Sequence, residues 1–509
     1  MTDEQITRRD GKEPHTWCEA NAATEGGGDG GRTHTADGQG RYSRRDFLAT
    51  GTALTIGSLS AAGGTSEAAA VSATGGRNLQ FNEYSRYRPS FGGPPGNPNY
   101  LGKMVPGFRK SGLAPVPVEV PDVDKLPWKV VGGAKQFELR CTAVKRELLP
   151  GYFMSVWGYN GSMPGPTIEA YQGDRVRIIV HNDLPEPTSM HWHGFELPIA
   201  MDGVPGLTQD LIPPGKDYVY EFDLHQTGSF FYHAHVAMQE ALGMAGFFIV
   251  HPRVAYDPPV DRDFGLIYQN FLIPPNADIA DTSQMDWNWH TINGRCGPYS
   301  TPMVVKHGER VRVRLLNFSP MQHHPIHFHG HTFWLTGTEG GRIPHEAWQP
   351  RNNTLVGVAM VQDFEFVANN PGDWIFHCHM VHHMMNHMVR QNGPRIRPTY
   401  NIMAYLANPD TVPEPENALA EPGFNVPGYP QAMKGMMMAQ DMSADAVAKV
   451  NERRETAGMR KDWYHGVHGL MTVLRVLPER FYNRVMHTTD HIEPGEIFDA
   501  IARATSSGR

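Results

Sequence analysis

The chain repeats itself, and the repeat limits what it can fold into. "YNGSMPGPTIEAYQGDRVRIIVHN", residues 159–182, runs parallel to "INGRCGPYSTPMVVKHGERVRVRLLN", residues 292–317, and each is followed by a His-x-His-Gly. "GSFFYHAHVAMQEALGM", residues 228–244, matches "GDWIFHCHMVHHMMNHM", residues 372–388, position for position. The alternation of apolar and charged residues in "DRVRIIV" and "ERVRVRLL", bounded by Gly, Pro and Asn, is that of strands. Two copies of a β-sandwich follow, and the expected fold class is all-β.

The second repeat also carries chemistry. "FHCHMVHHMMNHM", Phe376 to Met388, holds five histidines, one cysteine and four methionines. A disulfide half or a buried thiol needs no imidazole neighbours, whereas copper takes soft sulfur and borderline nitrogen donors together. On the end of a strand, His377 and His379 point to one face and Cys378 to the other, so one stretch serves two sites. For Cys378, His383 and Met388 are candidates for a further nitrogen and for the weak axial thioether of a blue-copper centre. A loop that holds metal loosely is the plainer reading of this stretch alone. Three more His-x-His pairs weigh against it: His191 and His193 in "MHWHGF", His233 and His235 in "FYHAHV", and His327 and His329 in "HHPIHFHGH", where His324 precedes Pro325. With His377 and His379 they make eight imidazoles, each pair on one strand face, a spacing that packing alone does not explain.

In this order, "HWHG", "HAH", "HPIHFHGH" and "HCHMVHHMMNHM" resemble the four copper-binding motifs of the multicopper oxidases, the laccase-like family, over roughly residues 125–395. The resemblance implies two tandem cupredoxin-like Greek-key domains and four coppers per functional unit. It makes His324, Cys378 and His383 the type 1 ligands with Met388 axial, and His191 and His327 the type 2 ligands. It puts His193, His233 and His379 on one type 3 copper, and His235, His329 and His377 on the other. A small reducing substrate is then expected to give single electrons to the type 1 site, and Cys378 to pass them through His377 and His379 to a trinuclear cluster that reduces O2 to water. Phenols, aromatic amines, Cu(I) and Mn(II) all remain open as donors. Asp202 in "AMDGVPG" resembles the acidic residue near the type 2 copper of laccases, with a proton-relay role; an ordinary turn residue before Gly203 is the other reading.

Aligning the repeats sets Thr188 opposite His324, Ala234 opposite Cys378, Gln239 opposite His383 and Met244 opposite Met388. The first copy lacks three of four type 1 donors but keeps its four cluster histidines. Two-domain members of the family resemble homotrimers in which the first domain of one chain meets the second of the next, so a C3 ring with clusters between subunits is expected. A copper nitrite reductase would need a type 1 site in the first domain and one further copper on three histidines, against which Ala234 and Gln239 argue. A copper-binding or storage protein without turnover has no need of eight paired imidazoles around one cluster.

The expected divisions are a polar leader with a twin-arginine signal (1–73), a Pro/Gly-rich arm (74–124), a first cupredoxin domain (125–255), a second (256–395), and a linker, Met-rich segment and helical extension (396–509). Arg44 and Arg45 open a weakly apolar stretch too short to span a bilayer permanently, which resembles a signal for export to the periplasm or beyond, cleaved near Ala70 or Ala73. An exported protein permits a disulfide, but spacing leaves the pairing of Cys141 and Cys296 open. The net charge of −8, without a basic run outside the signal, makes nucleic acid and anionic membranes poor partners. Met433 to Met442 reads as adaptable packing, a disordered strip or a thioether site for Cu(I). Good helix formers follow a capping candidate at Ser443 and run to a stop at Gly458, and His465, His468, His487 and His491 are expected at the surface.

Overall fold

The computed structural model describes residues 110–273, 278–282, 287–385 and 442–506. The leader, most of the arm, Met388 and the methionines from Met433 to Met438 lie outside the described residues. The all-β expectation holds: four sheets form two sandwiches, and the described helices lie mostly near the C-terminal end.

In the first sandwich one sheet orders Trp128–Val131, Ala134–Leu149, Arg175–Asn182 and Asp217–Asp223, with Tyr152–Tyr159 paired to the second of these. The facing sheet orders Ile168–Tyr171, Ala245–His251, Gly228–Ala234 and Met190–His193. Phe137, Ile178 and Tyr220 from one sheet share a core with Trp192, Phe230 and Phe248 from the other. Strand alternation produces this directly. In "RVRIIVHN", Val176, Ile178 and Val180 are buried, while Arg175 and Arg177 reach Glu221 on the outer face at 2.8 and 2.6 Å.

The second sandwich repeats the plan. Its larger sheet orders Trp289–Ile292, Arg262–Phe271, Arg310–Asn317, Met360–Val367, Phe333–Thr338 and Gly341–Arg342, and its smaller one Met303–Lys306, Met471–Leu477, Gly372–Cys378, His324–Phe328 and Asn353–Val356. Met471–Leu477 departs from expectation, because a stretch of the C-terminal extension is a central strand of this sheet, parallel to Met303–Lys306 and antiparallel to Gly372–Cys378. All seven residues of "MTVLRVL" are buried, as a strand covered on both faces requires. Helices do form around it, at Ala444–Asn451, Glu479–His487 and Glu496–Ser506. Ser443 caps the first by accepting a hydrogen bond from the Ala446 amide, but that helix ends at Asn451, short of Gly458. His487 and His491 are exposed as expected, whereas His465 and His468 are half-buried, and His468 Nε2 donates to the His465 carbonyl.

The sandwiches are joined by an apolar seam and a buried charge network. Phe231, Phe247 and Ile249 on the outer face of the first sandwich pack against Ile267, Leu316 and Val361 of the second, with Val118 and Val120 of the arm between them. Beside this seam the Arg314 guanidinium grips Asp263 through two 2.8 Å hydrogen bonds and donates to Ser229 of the first sandwich at 2.7 Å. Ser229 in turn donates to Asp363 at 2.7 Å. Glu365, fully buried, accepts from Arg310, Arg312 and Arg342. Burial pushes its carboxyl up, but the guanidinium charges and hydrogen bonds outweigh that and hold it at about 2 against an ordinary 4.5.

Replacing Glu365 by Gln removes, at a fully buried position, the charge that three part-buried guanidinium groups share, so unfolding experiments should show a loss of about 3–5 kcal/mol. The carboxylate's contribution is complete above pH 4.5 and is lost as the pH falls from 4.5 towards 2. The melting-temperature gap between wild type and Glu365→Gln should therefore narrow across that window; a gap that is flat with pH would rule out this account.

Candidate metal centre

The strand Gly372–Cys378 organises the site. It lies in register with His324–Phe328, so that His327 faces His377 and Ile326 faces Cys378. Because successive side chains leave a strand on opposite faces, Cys378 enters the core of the second sandwich while His377 and His379 emerge together on the other side. Their rings lie 5.4 Å apart.

On the inner face, Cys378 Sγ lies 3.6 Å from His324 Nδ1 and 3.4 Å from His383 Nδ1, and the two Nδ1 atoms are 3.1 Å apart. All three residues are buried. The His324 ring is held from behind, with Nε2 2.7 Å from Ser319 Oγ. Burial pushes the Cys378 thiol up to about 12 and drives the His383 imidazole down to about 3. Two neutral nitrogens and one thiol thus converge out of water. A thiol so placed gives up its proton only when a cation binds its sulfur, and a set of two imidazoles and one sulfur suits copper.

The imidazoles on the outer faces form two quartets. In the first sandwich His191, His193 and His233 bring ligand atoms within 4.8 Å of one another, and the His235 ring lies 5.5 Å from that of His191. In the second, His327, His329 and His377 do the same, with the His379 ring 5.7 Å from that of His327. Four of these rings are oriented by the backbone. His191 Nδ1 donates to the Asp202 carbonyl at 2.7 Å, His233 Nδ1 to Ala234 at 2.9 Å, His327 Nδ1 to Asn352 at 2.6 Å and His377 Nδ1 to Cys378 at 2.8 Å. A carbonyl only accepts, so the proton is fixed on Nδ1 and Nε2 is left as a lone-pair donor. Burial also lowers His193 to about 4, His233 to about 3 and His377 to about 4, keeping them neutral and ready to bind a metal. Among the described residues, the histidine–histidine ring contacts of each quartet stay within that quartet.

Asp202 sits beside His191, its carboxylate 3.6 Å from Nδ1, yet the shorter contact is made by its backbone carbonyl. Gly203 permits that approach: it has φ +87°, and any side chain there would collide with the Met190 carbonyl. Sequence reasoning missed Glu240, whose carboxylate lies 3.7 Å from His233 Nδ1 and is pushed up to about 7 by burial. Its position seven residues after His233, on the short helix Ala237–Ala241 that follows the strand, was the available signal. It also missed His290, fully buried with its ring 4.3 Å from that of His383.

The first sandwich shows what the inner site becomes without donors. Thr188 Oγ1 donates to Gln239 Oε1 at 2.7 Å, and Gln239 Nε2 donates to the Pro187 carbonyl at 2.9 Å. Both residues are buried, and Ala234 stands where the other copy has its thiol. These groups satisfy one another, so neither Thr188 nor Gln239 is left to hold a metal. Cys141 and Cys296 are free thiols buried in separate cores, so they form no disulfide with each other.

Two family models, each described as multicopper oxidase, match residues 141–255 and 270–393. A copper resistance protein A homolog from Pseudomonas syringae pv. tomato is 47% identical over 233 residues, covering 36% of this chain and 40% of that protein. A putative laccase-19 from Oryza sativa subsp. indica is 32% identical over 248 residues (44% and 40%). A probable nitrite reductase-hydroxylamine oxidoreductase fusion protein from Kuenenia stuttgartiensis is 31% identical over 274 residues (50% and 31%). The chain spans less than half the length of each of these relatives. With a buried imidazole and thiol set in the second and a histidine quartet on each, the two matched domains, residues 141–255 and 270–393, belong to the multicopper oxidases.

Proposed function

We propose that the protein couples one-electron oxidation of a small reducing substrate, a phenol, aromatic amine or metal ion, to the four-electron reduction of O2 to two waters. The observation that carries this reading is the end of one strand, where Cys378 enters the inner donor set and its neighbours His377 and His379 enter the outer one. Family membership implies copper of types 1, 2 and 3. In this reading His324, Cys378 and His383 hold the type 1 ion. His191 and His327 hold type 2, His193, His233 and His379 one type 3 ion, and His235, His329 and His377 the other. Copper so bound supplies reversible one-electron storage and the binding and reduction of O2.

The chain's own contribution is positional. The peptide bonds from Cys378 to His377 and His379 give an electron a covalent path between the two donor sets. Four backbone carbonyls hold the proton on Nδ1 and leave Nε2 with the lone pair that would hold a metal. Reduction of O2 to two waters consumes four protons, and the Asp202 carboxylate, 3.6 Å from His191, is placed to relay them. A nitrite-reductase reading would need an inner site in the first sandwich, where Thr188 and Gln239 are spent on each other. Export by the twin-arginine route, from Arg44 and Arg45, belongs to the same proposal. Among the described residues no helix is long and apolar enough to cross a membrane.

The assembly we infer is a homotrimeric ring. Each chain offers two half-clusters of four imidazoles, and a head-to-tail contact that joins the first sandwich of one chain to the second of the next closes as C3.

Two measurements test this. Copper-loaded protein in an oxygen electrode should consume O2 with a phenol or Cu(I) as donor. Cys378→Ser should lose both that uptake and the intense absorption near 600 nm expected of a copper–thiolate bond; a blue band surviving in that variant would sink the inner-site assignment. For the ring, a variant with His191 and His193 changed to Ala and another with His327 and His329 changed to Ala should each be inactive. Co-assembled, they should recover about one quarter of the sites, since each junction draws one half-cluster at random from each chain. Mixed trimers without any oxygen uptake would place the cluster within a single chain.

A further inference from the structure

The two sandwiches also differ in what closes the inner site from the axial side. In the first, Ala245–His251 pairs with Gly228–Ala234, with Ala245 opposite His233 and Val250 opposite Gly228. In the second, Met471–Leu477 pairs with Gly372–Cys378, with Met471 opposite His377 and Val476 opposite Gly372. These registers are the same, because Gly228 and Gly372 are equivalent in the repeat. They make Leu470 the counterpart of Met244.

Hydrogen bonds outside the ladders agree. The Ala234 amide donates to the Met244 carbonyl at 3.1 Å, and the Cys378 amide to the Leu470 carbonyl at 3.0 Å. The Met244 amide donates to the Gln239 carbonyl at 3.4 Å, and the Leu470 amide to the His383 carbonyl at 2.8 Å. Sequence punctuation runs in parallel too: "LGMAGFFIVHP" and "HGLMTVLRVLP" both place a positive-φ glycine before the residue in question and a proline eight positions after it. Gly469 is obligatory, since a Cβ there would run into the His383 carbonyl. Leu470 is fully buried in the same core cluster as Cys378.

We propose that Leu470, and not Met388, occupies the axial position of the inner copper site, which leaves the metal with two nitrogens, one thiolate and no sulfur from a thioether. This rests on the reading that His324, Cys378 and His383 hold type 1 copper. Met244 follows Gln239 by five positions, whereas Leu470 follows His383 by eighty-seven. The long excursion between them separates the axial residue from the loop that bears the histidine, and brings it back on a strand. An apolar axial neighbour donates nothing to Cu(II), so it favours the reduced ion and raises the potential relative to a thioether. The site is thereby suited to donors that are harder to oxidise.

Leu470→Met tests the inference with little disturbance of packing, because the two side chains are close in volume. Copper-loaded wild type, Leu470→Met and Met388→Leu would be compared by visible absorption, electron paramagnetic resonance and redox titration of the blue band. Leu470→Met is expected to keep the blue band, shift its spectrum and lower its potential, with Met388→Leu indistinguishable from wild type on all three. A blue wild type in which Leu470→Met changes nothing, or in which Met388→Leu raises the potential, overturns the axial assignment and leaves the oxidase reading standing. A copper-loaded wild type with no intense blue band overturns the inner site itself and this inference with it.

Discussion

The alternation of side chains at the end of one strand is the constraint on which the rest of the structure depends. At Cys378 the pleat sends the thiol into the core of the second sandwich and its two histidine neighbours to the opposite face. A slip of one residue would exchange these faces, placing sulfur among the imidazoles and an imidazole in the core. Pairing with His324–Phe328 on one side and Met471–Leu477 on the other fixes that register from both edges.

Burial then does the chemical preparation. The inner donors are out of water, so their imidazoles stay neutral and their thiol stays protonated until a cation arrives. On the outer faces, carbonyls from the same strands and adjacent loops fix the ring tautomers. The seam between the sandwiches supports both, because Phe231 lies opposite His193 in the ladder and stacks on its ring at 4.1 Å, while also packing on Phe318 of the second sandwich. The buried Arg314, Asp263, Ser229 and Asp363 network ties the two sheets together where a single apolar seam would allow sliding.

The two copies show how one scaffold is divided between tasks. In the first, a Thr188–Gln239 hydrogen bond closes the inner site; in the second, imidazoles and a thiol face one another there. The outer histidines are retained in both. A duplicated fold with one copy stripped of its inner imidazoles and thiol leaves one such inner donor set among the described residues and a histidine quartet on each sandwich.

The sequence by itself determined the repeat, the strand class and the convergence of donors, because those depend on local periodicity: His-x-His sharing a face, and Cys378 opposite to its neighbours, follow from a period of two. Alignment of the two repeats located Thr188, Ala234 and Gln239 as the counterparts of His324, Cys378 and His383. What only the tertiary structure decided is non-local. That "MTVLRVL" is a central strand and not part of an appendage depends on its partners, Met303–Lys306 and Gly372–Cys378, both distant along the chain. Glu240 and His290 approach the donors only once the sheets are stacked, and Cys141 and Cys296 are kept apart by belonging to different cores. Five-residue spacing made Met388 the apparent equal of Met244, while hydrogen-bond register gives that place to Leu470; spacing along a chain stops reporting position in space once a long segment leaves the sheet and returns.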